Sequence, residues 1–266
     1  MPGLYDWFFT PHKDFAVAEG IVYGHPKSRL PDGMSIHTSP IQEIAEDEGG
    51  LVLATRSGTL YVLRREEISP ICGENAASHP DWIRDIGKET ASVLEQFGIS
   101  GGFMEDCLRA RREADARLRE EEERETGPGE LLLTTVGNSV IRSLFRTADG
   151  TPVSVKPSIH LGMFQDSVLI TDWEDRAVDF RYFPMEGRME PYHISDGLRI
   201  IKVRNLGERA VYFGKTGREA VCPPGEITAI PAGEHDDEGL FSPDAVNGKG
   251  LYKTMFSNDG GKTDDR

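Results

Sequence analysis

Short β-rich runs, separated by turn residues at fairly even intervals, are the clearest pattern in this chain. The pattern is sharpest over residues 198–232, where the runs IIKV, AVYF and EITAI are joined by segments rich in glycine, asparagine and proline. Apolar, β-branched and aromatic runs bounded by such residues are typical of strands. This stretch therefore predicts several short strands, and it carries no catalytic signature.

The same pattern extends over the whole C-terminal half of the chain. Runs such as ELLLTTV, DSVLITDW and AVDFRYFPM alternate with Asp-Gly and Glu-Asp turns. About eight short strands at this spacing are typical of an antiparallel β-sandwich or jelly-roll-like domain, which we predict over residues 129–256. Because helices do not alternate regularly with these strands, a parallel α/β sheet is not expected. The polar residues 257–266 are expected to be disordered.

Residues 1–70 predict a second, smaller β module. The turn sequence LPDG occupies residues 30–33, and Ser57-Gly58 between two β-rich runs gives the sharpest hairpin signal. Several short strands within so few residues favour a small, barrel-like sheet. The aromatic residues near the N-terminus are expected to pack onto the core of this module, although an exposed cluster would mark a partner site. These residues are Tyr5, Trp7, Phe8 and Phe9.

Residues 71–128 predict a helical connector between the two β modules. A helix over about 79–97 begins with a cap-like Ser78 and ends before Gly98. A second helix over about 100–125 carries one narrow apolar stripe that includes Phe103 and Cys107. Its last turns, REEEERE, have no apolar face and predict a solvated extension. A coiled-coil dimer arm is the alternative, but the stripe is short for one. The predicted fold class is thus mainly β with a helical insert, or α+β.

Composition sets the broad class of the protein. The chain of 266 residues is long enough for one large domain or two small ones. No apolar run approaches the roughly 18 residues that span a bilayer, and the N-terminus has no signal-peptide pattern. We therefore expect a cytoplasmic protein without membrane contact. The three cysteines are far apart and form no Cys-x-x-Cys pair, so neither a disulfide framework nor a zinc site is expected.

The distribution of charge restricts the class of partner. The net charge is −15, which makes nucleic acid an unexpected partner because phosphate binding depends on lysine and arginine. Residues 199–218 differ from the rest, since they hold six basic residues and one acid. Gathered on one face, these side chains would suit a small anionic ligand or an acidic protein surface; paired with nearby acids, they would be ordinary strand surface. The six are Arg199, Lys202, Arg204, Arg209, Lys215 and Arg218. Separately, the aromatic residues Phe180, Tyr182, Phe183 and Tyr192 could line a groove for ligand or partner binding.

Candidates for catalysis are few. His160, His193 and Asp166 could build a metal site or an acid–base pair if neighbouring strands bring them together. Their spacings match no ligand motif, and hydrolase and phosphate-loop signatures are missing from the sequence. The sequence therefore favours a non-enzymatic binding protein that recognises a partner protein or a small anionic ligand through the C-terminal domain, with no cofactor expected. Two alternatives stay open: a metal-assisted hydrolase that uses the histidines, and a structural subunit of a larger assembly, for which oligomerisation would be expected.

Overall fold

The protein is mainly β, as predicted, and its described residues include two α-helices between the β regions. The computed structural model describes residues 1–27, 30–73, 85–137, 139–147, 149–155, 157–161, 167–171, 178–183, 188–193, 198–213 and 220–231, with the backbone alone between 153 and 193. Three sheets are present within these residues, and none closes into a barrel.

The N-terminal sheet has six strands in the order β3-β2-β1-β6-β5-β4. Strand β1 pairs antiparallel with β2 and parallel with β6. The two edge strands, β3 and β4, leave the sheet open, so the barrel-like module of the prediction is an open sheet. Its strands are β1 (Gly3–Pro11), β2 (Ala16–Tyr23), β3 (Met34–His37), β4 (Ile41–Asp47), β5 (Gly50–Thr55) and β6 (Leu60–Arg64).

Turn chemistry and aromatic burial explain most of this sheet. Gly58 connects β5 and β6 with a φ of 80°, and Gly33 opens β3 with a φ of 94°; such left-handed values favour glycine. The predicted burial of the N-terminal aromatic residues is confirmed, because Trp7 and Phe9 are fully buried. The sequence did not predict that they belong to a strand, since a bulge at Asp6, where φ is 55°, interrupts the regular alternation.

Two helices follow, α1 (Ile86–Gln96) and α2 (Gly102–Glu125). The carboxylate of Asp85 caps α1 by accepting from the backbone N–H of Lys88 at 3.0 Å. The predicted cap at Ser78 lies outside the described residues, whereas α2 begins and ends within two residues of the prediction. No helix in the described part of the chain is long and apolar enough to cross a membrane.

Helix α2 contacts both β regions. Its first half buries Phe103 and Cys107 in the core of the N-terminal sheet. Its second half buries Glu122, which accepts from the guanidinium of Arg142 at 2.9–3.2 Å and from the hydroxyl of Thr134 at 2.8 Å. The prediction of a solvated extension is therefore wrong at Glu122, because a carboxylate with these partners is stable inside.

The C-terminal region holds two further sheets, of five and six strands. The smaller has the order β17-β14-β7-β8-β9 and the larger the order β10-β11-β12-β13-β15-β16. The prediction of purely antiparallel pairing is wrong, because β14 pairs parallel with β7 and β15 pairs parallel with β13. The long connection between β7 and β14 permits this arrangement. The bounds are β7 (Glu130–Val136), β8 (Ser139–Arg146), β9 (Pro152–Val155), β10 (Pro157–Leu161), β11 (Ser167–Thr171), β12 (Val178–Phe183), β13 (Arg188–His193), β14 (Ile200–Asn205), β15 (Val211–Phe213), β16 (Ala220–Cys222) and β17 (Ile227–Pro231).

The two β regions also contact each other directly, through the buried carboxylate of Asp32. One oxygen accepts from the backbone N–H of Gly24 at 2.7 Å. The other accepts from the backbone N–H groups of Glu208 and Arg209 at 3.0 and 3.1 Å. The hydroxyl of Ser139 also donates to the carbonyl oxygen of Gly33 at 2.6 Å. These bonds fix the loop before β3 against the loop after β14 and against the start of β8.

Removal of the buried carboxylate on α2 should destabilise the fold. We expect Glu122→Ala to lower the free energy of unfolding by about 3 kcal/mol, because it leaves Arg142 without its partner. The matched control is Glu123→Ala, an exposed neighbour on the same helix, which should change it by less than about 0.5 kcal/mol. Urea denaturation measures both. Equal effects of the two variants would contradict a structural role for the Glu122 pair.

Candidate functional site: a cleft between the two β regions

A cleft of about 290 Å³ lies where the N-terminal sheet, α2 and the C-terminal region meet. We call it the junction cleft. The N-terminal sheet and the turn after it contribute most of the polar lining, α2 forms a second wall, and Val136 and Leu206 come from the C-terminal region. The volume is at the small end of the range for ligand pockets, so the cleft suits a small molecule.

One end of the junction cleft is apolar. Tyr5 and Tyr23 line it, and both belong to a buried cluster with Ile21 and Val136. Leu206 packs against this cluster, and Leu118 adds an aliphatic side chain from α2. Burial raises the pKa of both tyrosines, so their hydroxyl groups stay neutral at ordinary pH. This end can hold the hydrocarbon part of a ligand.

Glu67 is the titratable group of the cleft. The hydroxyl of Tyr23 donates a 2.7 Å hydrogen bond to its Oε2. Burial raises the pKa of Glu67 to about 7, although the Tyr23 hydrogen bond and the nearby Arg64 charge oppose the shift. The carboxyl group therefore changes its charge near neutral pH. Acidic side chains with a shifted pKa that lie in a cleft are frequent at functional sites.

Two arginines bring positive charge to the cleft from different elements. Arg64 ends β6, and Arg117 lies on α2. Both are exposed, and neither makes an ion pair within the described residues. Arg112 and Arg119 on α2 also make no ion pair within the described residues, but they do not line the cleft. Arg64 and Arg117 therefore combine a guanidinium group without an ion pair with a place in the cleft lining.

A second set of charges holds the walls of the cleft in place. The buried guanidinium of Arg111 donates to Asp6 at 2.5 Å, to Asp115 at 3.0 Å and to the carbonyl oxygen of Ile68 at 2.9 Å. It also lies over the Tyr5 ring, 4.9 Å from the ring centre, a cation–π contact. These contacts tie α2 to β1 and to the turn that carries Glu67. Alternating arginines and glutamates along α2 are typical of a solvated helix face, but Arg111 is buried.

The predicted basic site on the C-terminal region is largely engaged in internal contacts. Lys202 pairs with Glu130 at 2.5 Å and donates to the carbonyl oxygen of Glu125 at 2.6 Å. Arg204 is buried and pairs with Glu121, an acid that lines the junction cleft, at 3.0 Å.

The other predicted basic residues do not complete a site within the described chain. Arg209 is exposed and donates to the carbonyl oxygen of His25. Arg199 is exposed and directly precedes β14, the strand that Asn205 ends. Lys215 and Arg218 lie outside the described residues. Ligand binding by the six residues together stays a prediction.

The predicted catalytic residues lie on the larger C-terminal sheet. His160 is in β10 and His193 in β13, with β11 and β12 between them. Three strand spacings separate β10 from β13 by about 14 Å, and the residue of β13 opposite His160 is Glu190. The sheet therefore does not make the two histidines neighbours. Asp166 lies outside the described residues. Tyr182 and Tyr192 are on the adjacent strands β12 and β13, and only their backbone is described.

Sequence reasoning missed the residues that line the junction cleft. Arg64, Glu66 and Glu67 fall in the charged run RREE, which is typical of an ordinary loop, and Arg117 falls among alternating charges on a helix. One signal was present: this charged run directly follows the second strand of the hairpin turned at Gly58. It could have placed the run at a sheet end, but not against α2.

Comparison of the chain with models of known protein families, with curated proteins and with solved structures finds no match. The functional argument therefore depends on the geometry of the cleft.

The raised pKa of Glu67 predicts how stability depends on pH. Between about pH 4.5 and 7 the unfolded chain releases this proton and the folded chain keeps it, so the carboxyl group lowers the free energy of unfolding as pH rises. As the pH rises through this window, the free energy of unfolding of Glu67→Gln should therefore increase relative to that of the wild type by on the order of 2 kcal/mol. Urea denaturation at a series of pH values measures the difference.

The control for this measurement is Glu120→Gln, an exposed glutamate on α2. It should keep the pH profile of the wild type. A Glu67→Gln profile parallel to that of the wild type would contradict a proton held by Glu67 in the folded protein.

Proposed function

We propose that this protein is a non-enzymatic binding protein and that the junction cleft holds a small organic anion. The observation that carries the proposal is the pair Arg64 and Arg117, which brings to one ligand-sized cleft two guanidinium groups that form no ion pair with any described residue. A guanidinium group matches the geometry of a carboxylate or phosphate with two parallel hydrogen bonds. In this proposal the β modules, 1–70 and a sandwich-like 129–256, frame the ligand, and the connector 71–128 supplies the third wall.

The apolar end of the cleft supports an organic ligand over an inorganic ion. Leu118, Val136 and Leu206 line it next to the two tyrosines, and a ligand with a hydrocarbon body would remove this surface from water. A small aromatic or aliphatic acid combines such a body with one anionic group. Benzoate is a suitable probe because it has both parts and is small.

The cysteine environments support binding over nucleophilic catalysis. Cys72, Cys107 and Cys222 are buried and form no disulfide. Burial raises their pKa values to about 11, 12 and 11, which keeps the thiols protonated and unreactive. Within the described residues, no group of three or more histidine, cysteine, aspartate or glutamate side chains is arranged to hold a metal ion.

Binding of benzoate, measured by calorimetry and by the change in melting temperature, tests the proposal. We expect saturable binding, a raised melting temperature, and about tenfold weaker binding in each of the single variants Arg64→Gln and Arg117→Gln, since each loses a charged hydrogen bond. Arg119→Gln is the matched control, because Arg119 is exposed on α2 and does not line the cleft.

Two matched ligands test the sign of the charge. Benzylamine and benzyl alcohol share the ring of benzoate but carry a positive and a neutral group. The proposal expects benzoate to bind more tightly than either of them. Absence of benzoate binding, or tighter binding of benzylamine, would contradict it.

A partner protein is the second candidate, and one observation favours it. Tyr212 and Val221 are directly paired across β15 and β16, and they are 43% and 49% exposed. Exposed tyrosines are frequent in protein interfaces. A native mass that rises with concentration and returns to the monomer in Tyr212→Ser would support association through this face. A monomer at every concentration would contradict self-association there.

A further inference from the structure

The two carboxyl oxygens of Glu67 differ in their hydrogen bonding, and this difference bears on how the junction cleft would hold an anion. Glu67 lines the same cleft as Arg64 and Arg117. The Tyr23 hydroxyl donates to Oε2 alone, and Oε1 accepts no hydrogen bond within the described residues. One carboxyl oxygen is therefore positioned by the fold, while the other is open to a ligand.

We propose that the junction cleft takes up an organic carboxylate together with one proton, and that Glu67 holds this proton on Oε1. The inference builds on the proposed function, because it describes the chemistry of the same site. A protonated Glu67 donates from Oε1 to an oxygen of the ligand carboxylate. An ionised Glu67 places a negative charge against the ligand and offers no donor to it.

The charges of the cleft explain why a proton accompanies the anion. Two arginines and three glutamates line the cleft, so their sum is two minus three, or −1, when Glu67 is ionised. A bound carboxylate would make this −2. Uptake of one proton with the carboxylate leaves the sum at −1, and no other co-reactant is needed. Glu121 adds little to the repulsion, because Arg204 pairs with it.

The groups that face Glu67 are consistent with this assignment. Its ionisation is opposed by burial and by the charge of Glu66, and it is favoured by the Tyr23 hydrogen bond and by the charges of Arg64 and Arg111. The ionisable and charged groups around it, on β1, β2, β6, the turn, α2 and the loop after β14, are Tyr5, Tyr23, Arg64, Glu66, Arg111, Arg117, Glu121 and Glu208. The raised pKa of Glu67, about 7, puts its change of charge within the range where the arginines stay protonated.

The test is the dissociation constant of benzoate between pH 6 and 9 in the full-length protein, measured by calorimetry. Above about pH 7 we expect affinity to fall by about tenfold per pH unit, because the site must first bind a proton. Calorimetry in two buffers with different ionisation enthalpies should show uptake of close to one proton per benzoate at pH 8. Benzoate is almost fully ionised in solution over this pH range, so it does not bring the proton with it. The proton must be taken up from the solvent when the complex forms.

Variants of Glu67 separate a proton carrier from a merely structural residue. In Glu67→Gln the amide accepts from Tyr23 and donates to the ligand at every pH, so benzoate should bind at pH 8.5 about as tightly as wild type binds it at pH 6. Proton uptake should disappear in this variant. Glu120→Gln, which changes an exposed glutamate outside the cleft, should keep both the pH dependence and the proton uptake of the wild type.

The outcomes distinguish this inference from the proposed function. Benzoate binding that requires Arg64 and Arg117 but is independent of pH, without proton uptake, would leave the binding function standing and overturn the role of Glu67. A pH dependence that persists in Glu67→Gln would also overturn it. Absence of benzoate binding at every pH would contradict both.

Discussion

The structure depends on buried charges that tie α2 to two β regions at once. Arg111 anchors the first half of the helix to Asp6 and to the carbonyl oxygen of Ile68. Glu122 anchors the second half to Arg142 and Thr134. Burial of a charge is costly unless it is paired and hydrogen-bonded, so each anchor holds only when the β region that supplies its partners is in place. The helix therefore fixes the geometry of the two β regions.

The junction cleft is a consequence of this arrangement. The anchors lie beside it, and direct bonds from Asp32 to the loop after β14 close the junction on another side. The surrounding walls keep Glu67 partly out of water, and this burial is the main reason that its pKa is raised. The proton affinity of the site thus arises from the packing of the whole molecule, and not from a local motif.

The sequence predicted the parts of the fold that depend on local rules. The turn at Gly58, the end of α1 before Gly98 and the bounds of α2 follow from glycine conformation and helical periodicity. Buried charges could not be predicted in this way, because the partners of Arg111 and Glu122 lie up to 105 residues away in the chain. The cleft was missed for the same reason, since its residues come from separate segments whose contact depends on those pairs.

Direct titration of the Glu67 side-chain carboxyl by carbon NMR is the most decisive measurement, made on the free protein and with benzoate present. It observes the protonation of this one group without reference to affinity or stability. The account predicts a midpoint near pH 7 in the free protein and a higher midpoint with benzoate bound, because the proton and the ligand stabilise each other. A midpoint near 4.5, the ordinary value for glutamate, that benzoate leaves unchanged would contradict the account.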